Sequence, residues 1–134
     1  MRWIVEAFQK TWFYLGALLV GVLYGLGGVV HVGNMLGFGE VAWAEAPMAW
    51  RVGDIWWGAL DFVALVGIAS RSPVGILALA LAAASQVVVY SLAPEAFALT
   101  ESHRSTLRGL VYFNTVVLIV LVVAVVFANR NRGT

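Results

Sequence analysis

The sequence contains one carboxyl group, Asp61, inside a run of apolar residues from Ile55 to Ser70. A charged side chain within a membrane span costs at least about 2.5 kcal/mol to insert, so it is normally paired, protonated or beside water. The closest basic candidate is His31, on the apolar segment before it. An aspartate–imidazole pair can orient the ring, transfer a proton or hold a ligand, and we predict that Asp61 and His31 form one coupled site.

Other polar side chains also occupy the apolar segments, about one in each. Their distances in sequence from the segment ends place them at a similar depth, and helical spacing turns them towards a common interior. The predicted site for ligand binding or proton relay therefore consists of His31, Asp61, Asn34, Gln86, Asn114, Tyr24 and Trp57. Interhelical hydrogen bonds also serve as packing contacts worth about 0.6 kcal/mol each, which is the alternative role for Gln86 and Asn114.

Several common chemistries lack their residues in this sequence. The chain has no cysteine, which excludes disulfides, thiolate metal sites and iron–sulfur clusters. A metal centre normally takes three or four protein ligands, whereas the apolar segments hold one histidine and one carboxylate, so we predict no metal site. No glycine-rich phosphate loop is present, because the glycines lie within an apolar segment. The sequence does not identify a cofactor.

Composition indicates the environment of these residues. Of the 134 residues, 62% are hydrophobic and 11% are charged, and the mean hydropathy is +0.91. A soluble domain of this size would expose most of that apolar area to water. The composition excludes a soluble enzyme, a nucleic-acid-binding protein and a disordered tail. It predicts an integral membrane protein whose first partner is the lipid bilayer.

Four charge-poor segments are each long enough to cross a hydrocarbon core of about 30 Å as a helix. We predict an all-α protein with a single domain, residues 1–134, and transmembrane helices at about 12–37, 48–70, 73–93 and 106–129. The short connections favour antiparallel neighbours and hence an up-down four-helix bundle.

The charged residues outside these segments predict the orientation of the bundle. The side with both termini carries one acid and five basic residues, which are Arg2, Lys10, Arg71, Arg130 and Arg132. The other side carries three basic residues and five acids. The positive-inside rule therefore predicts that both termini are cytoplasmic.

Two further patterns each have a packing and a binding interpretation. The first helix carries a stripe of small residues, which are Ala17, Gly21, Gly25 and Gly28. Such a stripe either packs within the bundle or forms a homodimer seam. The outer interface is marked by Trp43, Trp50, Trp56 and Trp57. These rings either anchor the protein at the headgroup boundary or bind a headgroup, a small hydrophobic or quinone-like molecule, or another subunit.

Two stretches carry a family resemblance, LGALLVGVLYGLGGVVHVGN at 15–34 and LDFVALVGIASRSPVGILALALA at 60–82. Over about residues 15–95 the chain resembles the DoxX-like group of small bacterial membrane proteins, with a glycine-rich first span and a turn containing Gly67, Arg71 and Pro73. His31 stands where a basic residue is expected, and Asp61 matches no pattern of that group. The resemblance implies a multi-pass protein of the bacterial cytoplasmic (inner) membrane that serves membrane redox systems, often as a partner subunit. It transfers no catalytic residue.

Two classes of function remain open. In the first, the protein is a non-catalytic membrane subunit or binding module, whose polar site holds a small ligand or fixes helix packing. In the second, it is a small membrane enzyme or proton-coupled transporter in which Asp61 and His31 exchange protons with a substrate. The absence of cysteine and of a multi-ligand metal cluster weakens a redox enzyme, and the small size weakens a transporter acting alone.

Overall fold

The computed structural model describes residues 1–130, so Arg132, which contributed to the predicted orientation, lies outside the described residues. Within residues 1–130 every regular element is a helix. The elements are α1 (Arg2–Ala7), α2 (Thr11–Met35), α3 (Met48–Ala69), α4 (Pro73–Leu92), a 3-10 turn (Pro94–Ala96) and α5 (Glu101–Arg130). Helices α2 to α5 are each long and apolar enough to span a membrane. The prediction of an all-α chain with four such helices is confirmed.

Successive long helices pack against one another in antiparallel pairs. The start of α2 meets the end of α3, where the Tyr14 hydroxyl donates to the Ala69 carbonyl at 3.3 Å. The end of α2 meets the start of α3, where His31 contacts Asp54. Because α1 folds back onto the last turns of α5, the N-terminus and residue 130 lie at the same end of the bundle.

The glycine stripe of α2 packs against α3. A Cβ atom on Gly21 would lie 3.3 Å from Ile68 Cδ1, and one on Gly25 would lie 2.6 Å from Leu65 Cδ2. Both glycines are buried. The stripe is therefore occupied by packing within the chain, which is the first of its two predicted uses.

The turn between α3 and α4 is tight. Arg71 adopts a left-handed conformation with φ of 55°, and the Ser72 amide donates to the Gly67 carbonyl at 2.7 Å. This arrangement is a Schellman cap, in which the left-handed residue satisfies the last carbonyls of the helix. The Ser72 hydroxyl then caps α4, and Pro73 occupies its first position. A Cβ atom on Gly75 would collide with the backbone at Gly67, so glycine allows this close approach.

Two parts of the fold differ from the prediction. Helix α5 begins at Glu101 rather than near residue 106, because the Thr100 hydroxyl accepts the His103 amide at 3.2 Å and caps the helix earlier. His103 therefore lies in the first turn of α5 and not in a loop. The chain before residue 12 also forms a helix, α1, in which Ile4 is buried together with the adjoining Phe8.

Candidate functional site

A group of polar side chains lies where α2 ends and α3 begins. His31 Nδ1 is 2.8 Å from Asp54 Oδ1, and the Asn34 amide donates to the same oxygen at 3.0 Å. His31 and Asn34 stand three residues apart on one face of α2, so both reach a single carboxylate on α3. Asp54 is 7% exposed, and these two contacts offset part of the cost of burying its charge.

Asp61 lies near the other nitrogen of the same imidazole. Its Oδ2 is 4.0 Å from His31 Nε2, which is within ion-pair range but longer than a hydrogen bond. Asp61 is 2% exposed, and its Oδ1 has no hydrogen-bond partner among residues 1–130. His31 therefore stands between two carboxylates, with Asp54 as its direct partner. We refer to His31, Asn34, Asp54 and Asp61 as the His–Asp cluster.

Glycines at the contact between α2 and α3 provide the space for this cluster. A Cβ atom on Gly27 would lie 2.9 Å from Asp61 Oδ2, and one on Gly58 would lie 3.2 Å from His31 Cβ. A larger residue at either position would displace a member of the cluster, because protein interiors are close-packed. The close helix contact and the position of the cluster thus depend on each other.

A cavity of about 350 Å³ lies beside the cluster, at the end of the bundle opposite the N-terminus. Its lining includes five aromatic residues, which are Trp43, Trp50, Trp57, Tyr90 and Phe97. His31, Asn34 and Asp54 form part of its wall, so these three residues of the His–Asp cluster are accessible from this space, whereas Asp61 is not part of the lining. We call it the aromatic cavity.

Trp57 is held firmly in the wall of the aromatic cavity. Its indole N–H donates to Ser85 Oγ at 3.0 Å. Its ring centroid lies 5.0 Å from that of Tyr90 and 5.7 Å from that of Phe97. These contacts fix the ring in one orientation, and the aromatic surface is therefore formed before any ligand arrives.

One side of the cavity is bounded by a contact between α5 and the loop after α2. His103 Nε2 lies 2.9 Å from Glu40 Oε2, and His103 Nδ1 accepts the Leu99 amide at 3.2 Å. Because Nδ1 is an acceptor, the ring proton is on Nε2 and is donated to the carboxylate. The Trp50 ring packs edge-on against His103 with centroids 5.3 Å apart. This contact therefore ties two separate segments together over the cavity.

The other predicted polar residues form a separate group, which we call the amide cluster: Tyr24, Gln86 and Asn114. The Tyr24 hydroxyl donates to Asn114 Oδ1. The Asn114 amide donates to Gln86 Oε1 at 2.9 Å and to the Leu110 carbonyl at 2.8 Å. All three side chains are buried, and the residues that line the aromatic cavity do not include them. The amide cluster links α2, α4 and α5.

The structure thus divides the seven predicted site residues into two groups. At or beside the aromatic cavity lie His31, Asn34, Trp57 and Asp61, and the amide cluster holds Tyr24, Gln86 and Asn114. The sequence prediction treats them as one polar layer and leaves Asp54 at the membrane interface. One feature of the sequence could have identified Asp54 as a site residue. It lies seven residues before Asp61, and this spacing of two helical turns places both carboxylates on the same face of α3.

The arrangement supports hydrogen bonding, ligand binding against aromatic rings and proton transfer through His31. Among residues 1–130, no group of three His, Asp or Glu side chains is placed to hold a metal ion. No family model, no curated protein and no solved structure matches this chain.

Proposed function

We propose that this protein is a non-catalytic membrane subunit or binding module that holds a small molecule in the aromatic cavity. The cavity carries the proposal: about 350 Å³ of space bounded by fixed aromatic rings, with polar groups in one wall. Ligand sites characteristically combine apolar walls with a few well-placed polar groups. A quinone-like molecule, with a flat ring and carbonyl oxygens, is one ligand that would suit such a cavity.

The proposal places α2 to α5 across the bacterial cytoplasmic membrane, with both termini in the cytoplasm and the aromatic cavity at the outer face. The excess of basic residues at the end that holds α1 supports this orientation. Trp43 and Trp50 lie at the opposite end, where indole rings favour the headgroup boundary.

The orientation can be tested with single cysteines, because the chain has none of its own. We expect a membrane-impermeant maleimide to label Ser102→Cys in intact spheroplasts and to label Ser72→Cys only after the membrane is permeabilised. The opposite pattern would invert the topology and place the cavity at the cytoplasmic face.

The cavity can be tested by filling it. Thr106 lines the cavity and is exposed, whereas its neighbour Ser105 is exposed but is not part of the lining. Thr106→Trp should block the binding of both choline and a water-soluble benzoquinone, measured by tryptophan fluorescence in maltoside micelles. Ser105→Trp adds the same chromophore outside the cavity and should bind as the unmodified protein does. Equal binding by the two variants would contradict the proposal.

The resemblance to the DoxX-like group suggests a partner subunit in a membrane redox system. The large apolar side chains of α5 at 116, 119, 120, 122, 123, 126 and 127 are exposed, and across a bilayer this face would meet either lipid or the helix of a partner or a second copy. Purification in a mild detergent, followed by mass spectrometry and by size measurement, should recover a defined partner or a dimer. A monodisperse single chain at all detergent concentrations would contradict this part of the proposal.

A second function, proton exchange by a small membrane enzyme or transporter, is favoured by the position of His31. The ring contacts Asp54 through Nδ1 and faces Asp61 through Nε2. An imidazole can accept a proton on one nitrogen and release one from the other, so this arrangement would connect the cavity to Asp61. In weakly buffered solution, the binding of choline or of the benzoquinone should then change the proton concentration, and Asp61→Asn should abolish that change. Binding without proton release or uptake in the unmodified protein would exclude this function.

A further inference from the structure

We infer that the ligand of the aromatic cavity is an organic ammonium ion, with its positive charge on an alkylated head. This inference rests on the proposed function, since it names the chemical class of ligand that the same cavity takes. It is supported by the aromatic rings and by the carboxylates of the wall.

The rings of the wall suit a cation. The faces of aromatic rings carry negative electrostatic potential and attract a cation that lies within about 6 Å of the ring centroid. Trp57, Tyr90 and Phe97 pack against one another, with centroids 5.0, 5.3 and 5.7 Å apart, and all three belong to the lining. Trp50 adds a further ring to the lining. A cation in the cavity therefore meets a wall in which several aromatic rings stand side by side.

The charged groups of the wall have one sign. The carboxylates of Asp54 and Glu40 line the cavity, and the lining includes no lysine or arginine of the described chain. Both hydrogen bonds to Asp54 end on Oδ1, so Oδ2 remains for a ligand. The Arg51 guanidinium is not part of the lining and lies over the Trp43 ring with its Cζ 5.9 Å from the centroid, so Trp43 already has a cation on one face.

The imidazoles of the lining each contact a carboxylate. His103 Nε2 lies 2.9 Å from Glu40 Oε2, and His31 Nδ1 lies 2.8 Å from Asp54 Oδ1. Because the lining residues of the described chain include two carboxylates and no lysine or arginine, the cavity favours a cationic ligand over an anionic one.

The inference can be tested with a pair of ligands of equal shape. Choline and 3,3-dimethylbutan-1-ol differ only in having nitrogen or carbon at the centre of the head, and both keep the same hydroxyl group. In maltoside micelles, tryptophan fluorescence should show choline binding about tenfold or more tightly than the alcohol. The anion 3,3-dimethylbutanoate should bind more weakly than either.

Two variants test the origin of this preference. Asp54→Asn keeps the shape of the side chain and should reduce the ratio of choline affinity to alcohol affinity to near one. Glu40→Gln removes the charge of an exposed carboxylate but keeps an oxygen acceptor for His103, and it should reduce the same ratio by a smaller factor. If Asp54→Asn does not fold, the ligand pair on the unmodified protein still decides the question.

The source of the ammonium group is a further outcome of the test. A dihexanoyl phosphatidylcholine, used below its micelle-forming concentration, should bind more tightly than choline if the cavity takes a lipid headgroup. If the ligand is a free amine, choline and tetramethylammonium should bind at least as well as that lipid.

Equal or tighter binding of the neutral alcohol or of a water-soluble benzoquinone, compared with choline, would overturn the inference and leave the proposed function standing. Failure of every probe to bind would overturn both.

Discussion

The His–Asp cluster between α2 and α3 and the amide cluster among α2, α4 and α5 are both polar groups inside the bundle, but their polar atoms are satisfied to different degrees. In the amide cluster, Asn114 accepts from Tyr24 and donates to Gln86, and the residues of the cavity lining do not include it. In the His–Asp cluster, Asp61 Oδ1 has no partner among residues 1–130, and Asp54 is open to the aromatic cavity.

This difference separates a packing role from a binding role. Asn114 has all its donors and acceptors bonded within the chain, so it fixes the relative positions of helices and gains nothing from a ligand. Asp54 is bonded through Oδ1 alone and lines the cavity, so its Oδ2 can bind a ligand. Mutations in the two clusters should therefore have opposite profiles in stability and in ligand binding.

Removal of the Asn114 side chain should give the largest loss of stability. Asn114→Ala leaves the Tyr24 hydroxyl and the Gln86 amide without their partner, which should lower the free energy of unfolding by about 1–3 kcal/mol. The measurement is thermal or denaturant unfolding in detergent. Thr115→Ala is the matched control, because that exposed hydroxyl bonds only to the Val111 carbonyl of its own helix. Equal stability of the two variants would mean that the amide cluster does not hold the bundle together.

Coupling within the His–Asp cluster should be the next largest effect. A double-mutant cycle of His31→Ala with Asp54→Asn should give a coupling free energy of about 1 kcal/mol, because the two side chains are in direct contact. The cycle of His31→Ala with Asp61→Asn should give a smaller coupling, since 4.0 Å separates the nearest atoms. A control cycle of His31→Ala with Gln86→Ala crosses the two clusters and should be additive. Coupling in the control as large as within the cluster would join the two groups into one network.

Two glycines of α2 should respond in opposite directions to alanine. Gly27→Ala would place a Cβ atom 2.9 Å from Asp61 Oδ2, so we expect a loss of about 0.5–1 kcal/mol of stability and a displaced carboxylate. A Cβ atom on Gly16 would meet no neighbouring side chain or helix within 4 Å, so Gly16→Ala should be neutral or stabilising by up to about 1 kcal/mol. Unfolding measurements on both variants compare them directly. A stabilising Gly27→Ala would show that the carboxylate moves freely and is not held by the helix contact.

The four long helices were predictable because each is a long run almost without charge. The start of α5 was not, because it depends on one hydroxyl, that of Thr100, accepting an amide in the next turn. Helix α1 was also missed, since its six residues are too few for a periodic pattern to show and its order comes from packing against α5.

The division of the site residues into two clusters could not be predicted from the sequence, for a different reason. His31 and Tyr24 are seven residues apart on one face of α2, so helical spacing predicts that they share a neighbour. In the structure His31 contacts Asp54 on α3, whereas Tyr24 contacts Asn114 on α5. Which neighbour a face meets at each depth depends on the crossing of the helices, which side-chain packing sets and spacing alone does not.

The most direct test of the account is to measure ligand binding and stability together in Thr106→Trp and Asn114→Ala. Choline and a water-soluble benzoquinone serve as probes, and each variant is compared with the unmodified protein in the same detergent. We predict that at least one probe binds the unmodified protein and Asn114→Ala with similar dissociation constants, although Asn114→Ala unfolds at a lower temperature. Thr106→Trp should keep its stability and lose that binding. Binding that is lost in Asn114→Ala and retained in Thr106→Trp would contradict the assignment of the aromatic cavity as the binding site.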